Sequence, residues 1–161
     1  MAVTDVIKNL DARTLTVTAA FDAPVARVWD LYADPRKLER WWGPPTYPAT
    51  VTEHALEAGG RVRYYMTSPE GERYHGLWHV TAVDPQHLIE AVDHFADEDG
   101  EVNADLPASA MRLVFTQESD RTIVTSVTTF ASSADLQQVL DMGMEEGLRG
   151  AMGQMDALLT E

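Results

Sequence analysis

SADLQQVLDMGMEEGLRGAMGQMDALL, residues 133–159, closes the chain, and its reading decides the fold. Ser132 and Asp135 stand three apart just ahead of Leu136, a variant of the capping box with Asp in place of the usual Glu, and so mark a helix start. Turning about 100° per residue from Leu136 gathers Val139, Leu140, Gly143, Met144, Gly147, Leu148, Ala151, Met155 and Leu158 on one arc. Asp141, Glu145, Arg149 and Asp156 fall opposite, and Gln154 interrupts the apolar stripe. The pattern predicts one helix of roughly 40 Å, long enough to cross a small domain. Within its apolar arc Gly143, Gly147 and Ala151 follow one another every four residues. Each glycine inside a helix costs roughly 1 kcal/mol relative to alanine, so the bare seam needs a reason. Close packing on strands, a kink or restart near Gly143, and space left for a ligand beside Met144, Leu148 and Met155 all supply one.

A long helix after a run of strands needs a sheet to cover, and the preceding chain supplies the strands. Residues 14–21, TLTVTAAF, alternate with Leu15, Val17, Ala19 and Phe21 on one face. Pro24 begins a short helix in which Val25, Val28, Trp29 and Tyr32 recur at helical spacing. Asp34-Pro35 repeats the cap-and-proline signature and starts a second short helix. The WWGPP stretch, residues 41–45, is irregular. Its tryptophans either plug one end of the core or line the mouth of a cavity. Strands follow over 49–56, 61–67, 73–83, 87–95, 111–117 and 122–130, separated by short turns and one acidic loop, 96–107. In 61–67 the outward Arg61 and Arg63 turn Val62, Tyr64 and Met66 inward. In 73–83 the facing is ambiguous, with Tyr74, Gly76, Trp78 and Val80 on one side and His75, Leu77, His79 and Val83 on the other. In 111–117 Met111, Leu113 and Phe115 point inward. Residues 1–13 read as a polar lead-in. Sequential hairpins imply an antiparallel sheet with one face to bury, and the terminal helix meets that need.

Composition bounds the function. A chain of 161 residues suits one domain, 1–161, with its core over 14–159. It has no cysteine, which excludes disulfides, thiolate metal sites and cysteine nucleophiles. The formal charge of −14, from 26 acidic and 12 basic residues, repels phosphate, so nucleic acid and anionic membranes are excluded as partners. No apolar run approaches the ~18 residues of a membrane span, and the start, MAVTDVIKNLDART, lacks the basic and apolar regions of a signal peptide. A cytoplasmic protein is expected.

The order of elements and particular residues resemble the START-like, or SRPBCC, superfamily. The resemblance is strongest to the branch named after the C-terminal domain of the heat-shock-chaperone ATPase activator (activator of Hsp90 ATPase homologue-like), with polyketide cyclase and dehydrase proteins nearby. Phe21-Asp22-Ala23-Pro24 with Val28-Trp29, Asp34-Pro35, Leu38, and Trp41-Trp42-Gly43-Pro44 carry it. Gly59-Gly60, Gly76 with Val80 and Pro85, Phe130 and Gly147 complete it. It spans roughly 14–159 and implies an α+β helix-grip fold: a curved antiparallel sheet of about six to seven strands around a long C-terminal helix, with two short helices after the first strand. It also implies a cavity between sheet and helix in which members bind apolar ligands, some as enzymes. Family members often carry tryptophan after the helix glycine; here that position is Leu148, a smaller side chain. A stand-alone domain is expected, so chaperone activation, which in the eukaryotic activators involves a further N-terminal chaperone-binding domain, is not expected to carry over.

Catalytic motifs are absent: no GxSxG, HExxH, P-loop or GxGxxG occurs. His75 and His79, four apart on a strand, lie about 13 Å from each other and cannot share an ion. Asp93 and His94 alternate faces and so form no dyad. The loop DEDGEVN, 97–103, lacks the spacing and closing Glu of a calcium loop. Were there chemistry, general acid–base work by Tyr64, His75, His79, Glu90 or His94 would be its form. The leading expectation is therefore a binder of a small apolar or aromatic molecule, with no cofactor and no metal. Its predicted lining is Trp41, Tyr64, Met66, Trp78, Met111, Phe115, Met144, Leu148 and Met155. A cyclase- or hydrolase-like enzyme using the same cavity is one alternative. A chaperone-associated or homodimeric interaction module is the other.

Overall fold

A computed structural model describes residues 2–161. Eight strands form one antiparallel sheet: β1 (Val3–Asn9), β2 (Thr14–Phe21), β3 (Ala49–His54), β4 (Arg61–Thr67), β5 (Arg73–Asp84), β6 (Leu88–Ala96), β7 (Ser109–Glu118) and β8 (Arg121–Phe130). Their order is β1-β2-β8-β7-β6-β5-β4-β3. After β2 the chain crosses the sheet through α1 (Val25–Ala33) and α2 (Pro35–Leu38), then returns strand by strand until β8 pairs with β2. Shifts of register in the β1–β2, β3–β4 and β5–β6 pairs mark irregularities, of the kind that bends a sheet. The architecture is the helix-grip fold.

One strand more is present than the six to seven expected. The segment read as a lead-in forms β1 along the edge of β2. Its only buried strand residue is Val3, with Val6 half-buried, because an edge strand lies mostly in water and needs no alternation of apolar residues. Elsewhere the patterns translate directly. Leu15, Val17, Ala19 and Phe21 are buried in alternation. Val28, Trp29 and Tyr32 are buried on α1. At the start of α2, Asp34 Oδ1 accepts from the Arg36 amide at 2.9 Å, with Pro35 in the first helical turn. The ambiguous β5 has buried residues on both faces: Trp78 and Val80 join the core, while Leu77 is buried on the other side. There the acidic loop folds across the outer face, with Glu101 reaching Arg63 at 3.3 Å and Val102 bridging to Ala96. A strand covered on both faces loses its alternation.

The expected single terminal helix is three: α3 (Ser133–Asp141), α4 (Met144–Gly153) and α5 (Met155–Leu159). Ser132 caps α3, its hydroxyl oxygen accepting from the Asp135 amide at 3.1 Å. The break falls at Gly143, whose φ of +92° is left-handed and strained for any residue with a Cβ. The restart lets α3 lie against β8, α4 against β1 and α5 against α1. The break explains Gly143; at Gly147 and Gly150 an added Cβ would meet the WWGPP loop only at ordinary van der Waals distance. Pro44 Cγ comes within 4.0 Å of a Cβ placed at Gly147, and Pro45 Cδ within 3.6 Å of one at Gly150. The WWGPP loop thus lies over this face of α4. Gln154, the residue that interrupts the stripe, ties that loop down by donating from Nε2 to the carbonyls of Gly43 (2.7 Å) and Trp41 (3.3 Å).

Candidate functional site

The inner face of the sheet is largely apolar, with Thr122 and Thr128 buried on β8 and a further polar patch where β4, β5 and β6 run side by side. There register sets Tyr64 across from Gly76, Trp78 across from Asp93, and Asp93 across from Ser109. Gly76 is required by this arrangement: a Cβ at that position would overlap Cζ and Oη of Tyr64. The phenol ring therefore lies over β5, close enough for its hydroxyl to interact with the Asp93 carboxyl. Trp42, delivered by the loop that Gln154 anchors, stands edge-on to Tyr64 at 5.8 Å and to Trp78 at 4.9 Å between ring centroids.

Polarity concentrates in this quartet. The indole nitrogens of Trp42 and Trp78 are sealed from solvent, with the Tyr64 hydroxyl as a loose shared acceptor short of good hydrogen-bond geometry. Their neighbour is bonded more firmly: Trp41 Nε1 donates to the Leu31 carbonyl at 2.8 Å. Asp93 is enclosed by protein, and burial pushes its carboxyl up to about 7, so near neutrality it exchanges a proton easily. The residue as a whole is half-buried. Burial first, and Asp93 second, raise Tyr64 well above the ordinary phenol range; it is neutral at any physiological pH.

The nine predicted lining residues divide. Tyr64 and Trp78 belong to the quartet. Trp41, Met111, Phe115 and Met155 are buried in the core, with Tyr32 packed edge-on against both Trp41 (4.9 Å) and Phe115 (5.1 Å). Met66, Met144 and Leu148 are half-buried, the two α4 residues packed against the core. Trp42 and Asp93 were not predicted. The sequence offered a signal for Asp93, a lone carboxylate on the face that carries Ile89, Ala91 and Phe95. For Trp42 it offered only the pair. Of the other candidates, His79 and His94 meet across strands on the outer face at 5.0 Å between rings. His94 is held below the usual imidazole range by burial and by His79. His75 packs on Tyr65, and Glu90 faces Arg112 at 3.6 Å. None of these joins the quartet.

Two surface clefts lie elsewhere. One, about 440 Å³, opens between the 102–108 loop, His94, and Asp135 and Gln138 of α3. The other, about 410 Å³, runs between Lys8 and Leu10 and the α3–α4 junction. Neither is lined by any of the nine residues. Among the described residues no helix is long and apolar enough to cross a membrane.

Comparison with known proteins adds a family and a set of shapes. The family described as activator of Hsp90 ATPase homolog 1-like protein matches residues 22–160. No curated protein matches. The crystal structure of protein Ms6760 from Mycobacterium smegmatis is 55% identical, with a TM-score of 0.91 over 98% of this chain and 96% of that one. A solution structure from Arthrobacter aurescens is 42% identical, with a TM-score of 0.93 over 98% of this chain and 92% of that one. DynU16, a protein of the dynemicin biosynthetic locus, shares the fold at 16% identity, with a TM-score of 0.63 over 88% of this chain and 46% of that one.

Proposed function

Because the chain belongs to the activator of Hsp90 ATPase homolog 1-like family, we propose that it acts through that fold's ligand-binding capacity, holding a small, largely apolar molecule between the inner face of the sheet and α4. One observation carries the reading. Two buried indoles, a phenol hydroxyl close to both of their nitrogens, and a carboxyl meet on a largely apolar face. A few polar groups gathered on an apolar surface are what ligand sites use to orient an apolar molecule. The half-buried Met144 and Leu148, packed against the core, supply adaptable apolar contact at the α4 side.

Native mass spectrometry of the protein as purified, followed by a thermal-shift screen of apolar metabolites, tests this. A ligand that binds only the folded state raises the midpoint. A retained small molecule, or a midpoint rise lost in Trp42→Phe, is the expected result. No retained mass and no compound that stabilises the protein would reject the reading.

Asp93 favours a second reading, an acid–base catalyst of the cyclase or hydrolase kind using the same space. A carboxyl that titrates near neutrality beside an apolar surface is suited to donating and accepting protons at pH 7. Turnover of any compound found by the screen, abolished in Asp93→Asn with binding retained, separates a catalyst from a carrier.

A further inference from the structure

The outer face of the sheet carries a pair of side chains that the inner-face reading does not use. His79 on β5 and His94 on β6 are diagonal neighbours, because His79 stands across from Val92 and His94 across from Leu77. Both are half-buried, and their rings meet at 5.0 Å between centroids with planes 74° apart. Among the described residues, only His54 and His87 engage a hydrogen-bond partner through a ring nitrogen, each at a backbone carbonyl. All four nitrogens of the outer pair are therefore uncommitted. His75, on the same face, packs on Tyr65 instead.

Two imidazoles placed this way match the demands of a chelate. A metal ion held by imidazole sits about 2.0–2.1 Å from the nitrogen, and so about 3.2 Å from the ring centre. Two rings on neighbouring coordination positions then have centres about 4.5 Å apart on a square-planar ion and about 5.2 Å apart on a tetrahedral one. The observed 5.0 Å falls inside that span. Aiming one nitrogen of each ring at a common point requires rotation about χ2, a broad torsion in histidine.

The surroundings suit a cation. The chain carries a net charge of −14. The arginines of this face are already matched: Arg61, across from His79, pairs with Glu53 at 3.5 Å, and Arg63 pairs with Glu53 and with Glu101, each at 3.3 Å. Burial first, and His79 second, hold His94 below the usual imidazole range, which leaves it a free lone pair at neutral pH. His94 also borders the cleft of about 440 Å³ that Asp105 and Asp135 line, and this gives an ion a route from water. Among the described residues no third histidine or carboxylate completes the group. The chain thus supplies two ligands, and water supplies the rest.

We infer that His79 and His94 form a two-histidine site for a late divalent transition-metal ion, zinc, nickel or copper, with open positions for exchangeable ligands. Magnesium and calcium, which take oxygen ligands, do not suit these donors. The chelate ties β5 to β6 from outside, and neither ring takes part in the polar quartet, so the inference holds whether or not a ligand binds on the inner face.

The untagged full chain tests this. Zinc titrated by calorimetry is expected to bind as one ion per chain, and excess magnesium should leave the isotherm unchanged. His79→Asn and His94→Asn should each weaken zinc at least about tenfold, an effect that even outer-shell partners of a metal can reach. His75→Asn and His87→Asn should leave it unchanged. Copper(II) bound to wild type should show two equatorial nitrogens by electron paramagnetic resonance, a readout that needs no variant to fold. Equal weakening in all four variants, or displacement by magnesium, overturns the inference in favour of diffuse binding to the acidic surface. Oxygen-only copper ligation, or no saturable zinc binding, also overturns it. The metabolite screen decides the inner-face reading separately.

Discussion

Replacing Asp93 with asparagine should change how stability depends on pH. In the folded protein burial lifts the carboxyl from an ordinary 3.8 to about 7. A shift of roughly three units corresponds to about 4 kcal/mol of penalty on the ionised form. Because the side chain keeps some access to solvent, an observable effect of about 2–4 kcal/mol is expected. The sign is fixed by linkage. Between pH 4 and pH 7 the folded state holds a proton that the unfolded state has released, so stability falls as pH rises through this window and levels off above it. Tyr64, the ionisable group facing Asp93, stays neutral throughout and adds no slope. Asp93→Asn keeps the size and a hydrogen-bonding amide but cannot ionise. Urea unfolding of wild type and variant at pH 4, 5, 6, 7 and 8 gives two curves, and their difference is the quantity of interest, since the surface carboxylates are common to both. The variant should gain on wild type by about 2–4 kcal/mol between pH 4 and pH 8. Parallel curves would refute the claim that Asp93 is held in a poorly solvated place, and with it the picture of a polar quartet.

Three further outcomes follow from the packing. Gly76→Ala forces the Tyr64 ring off β5 and should cost about 1–3 kcal/mol, with altered tryptophan fluorescence because Trp42 rests on that ring; an unperturbed spectrum would contradict the close approach. Gly143→Ala puts a Cβ in a left-handed conformation at a cost of about 1–2 kcal/mol, or a midpoint roughly 2–8 °C lower by calorimetry. A continuous helix would instead be stabilised by that change. Gln154→Leu leaves the Trp41 and Gly43 carbonyls without their side-chain donor and should cost about 1–3 kcal/mol, read as faster amide exchange confined to the 41–47 loop.

The fold was legible because its signals are local. Strand alternation at Leu15 to Phe21, the cap at Asp34-Pro35 and the cap at Ser132 each depend on residues a few positions apart. Two features escaped for physical reasons. An edge strand such as β1 has little to bury, so its composition is that of a loop. A left-handed glycine and a helical glycine are the same letter, so the break at Gly143 could be weighed but not chosen. The site was legible only in fragments. Tyr64 and Trp78 were chosen for their inward facing, whereas Trp41 and Trp42 are indistinguishable by pattern. Only the backbone course after α2 sends Trp41 into the core, with its N–H on Leu31, and Trp42 toward Trp78.

From its letters alone this chain determines an antiparallel sheet, a helical tail, the family to which it belongs and the inward face of most strands, because short-range periodicity and capping act within a few residues. The meeting of Trp42, Tyr64, Trp78 and Asp93 was decided only in three dimensions. Those residues come from one loop and three strands, and what joins them is cross-strand register, a missing Cβ at Gly76 and a loop held by Gln154. Each of these is a long-range relation, and none leaves a periodic trace along the chain.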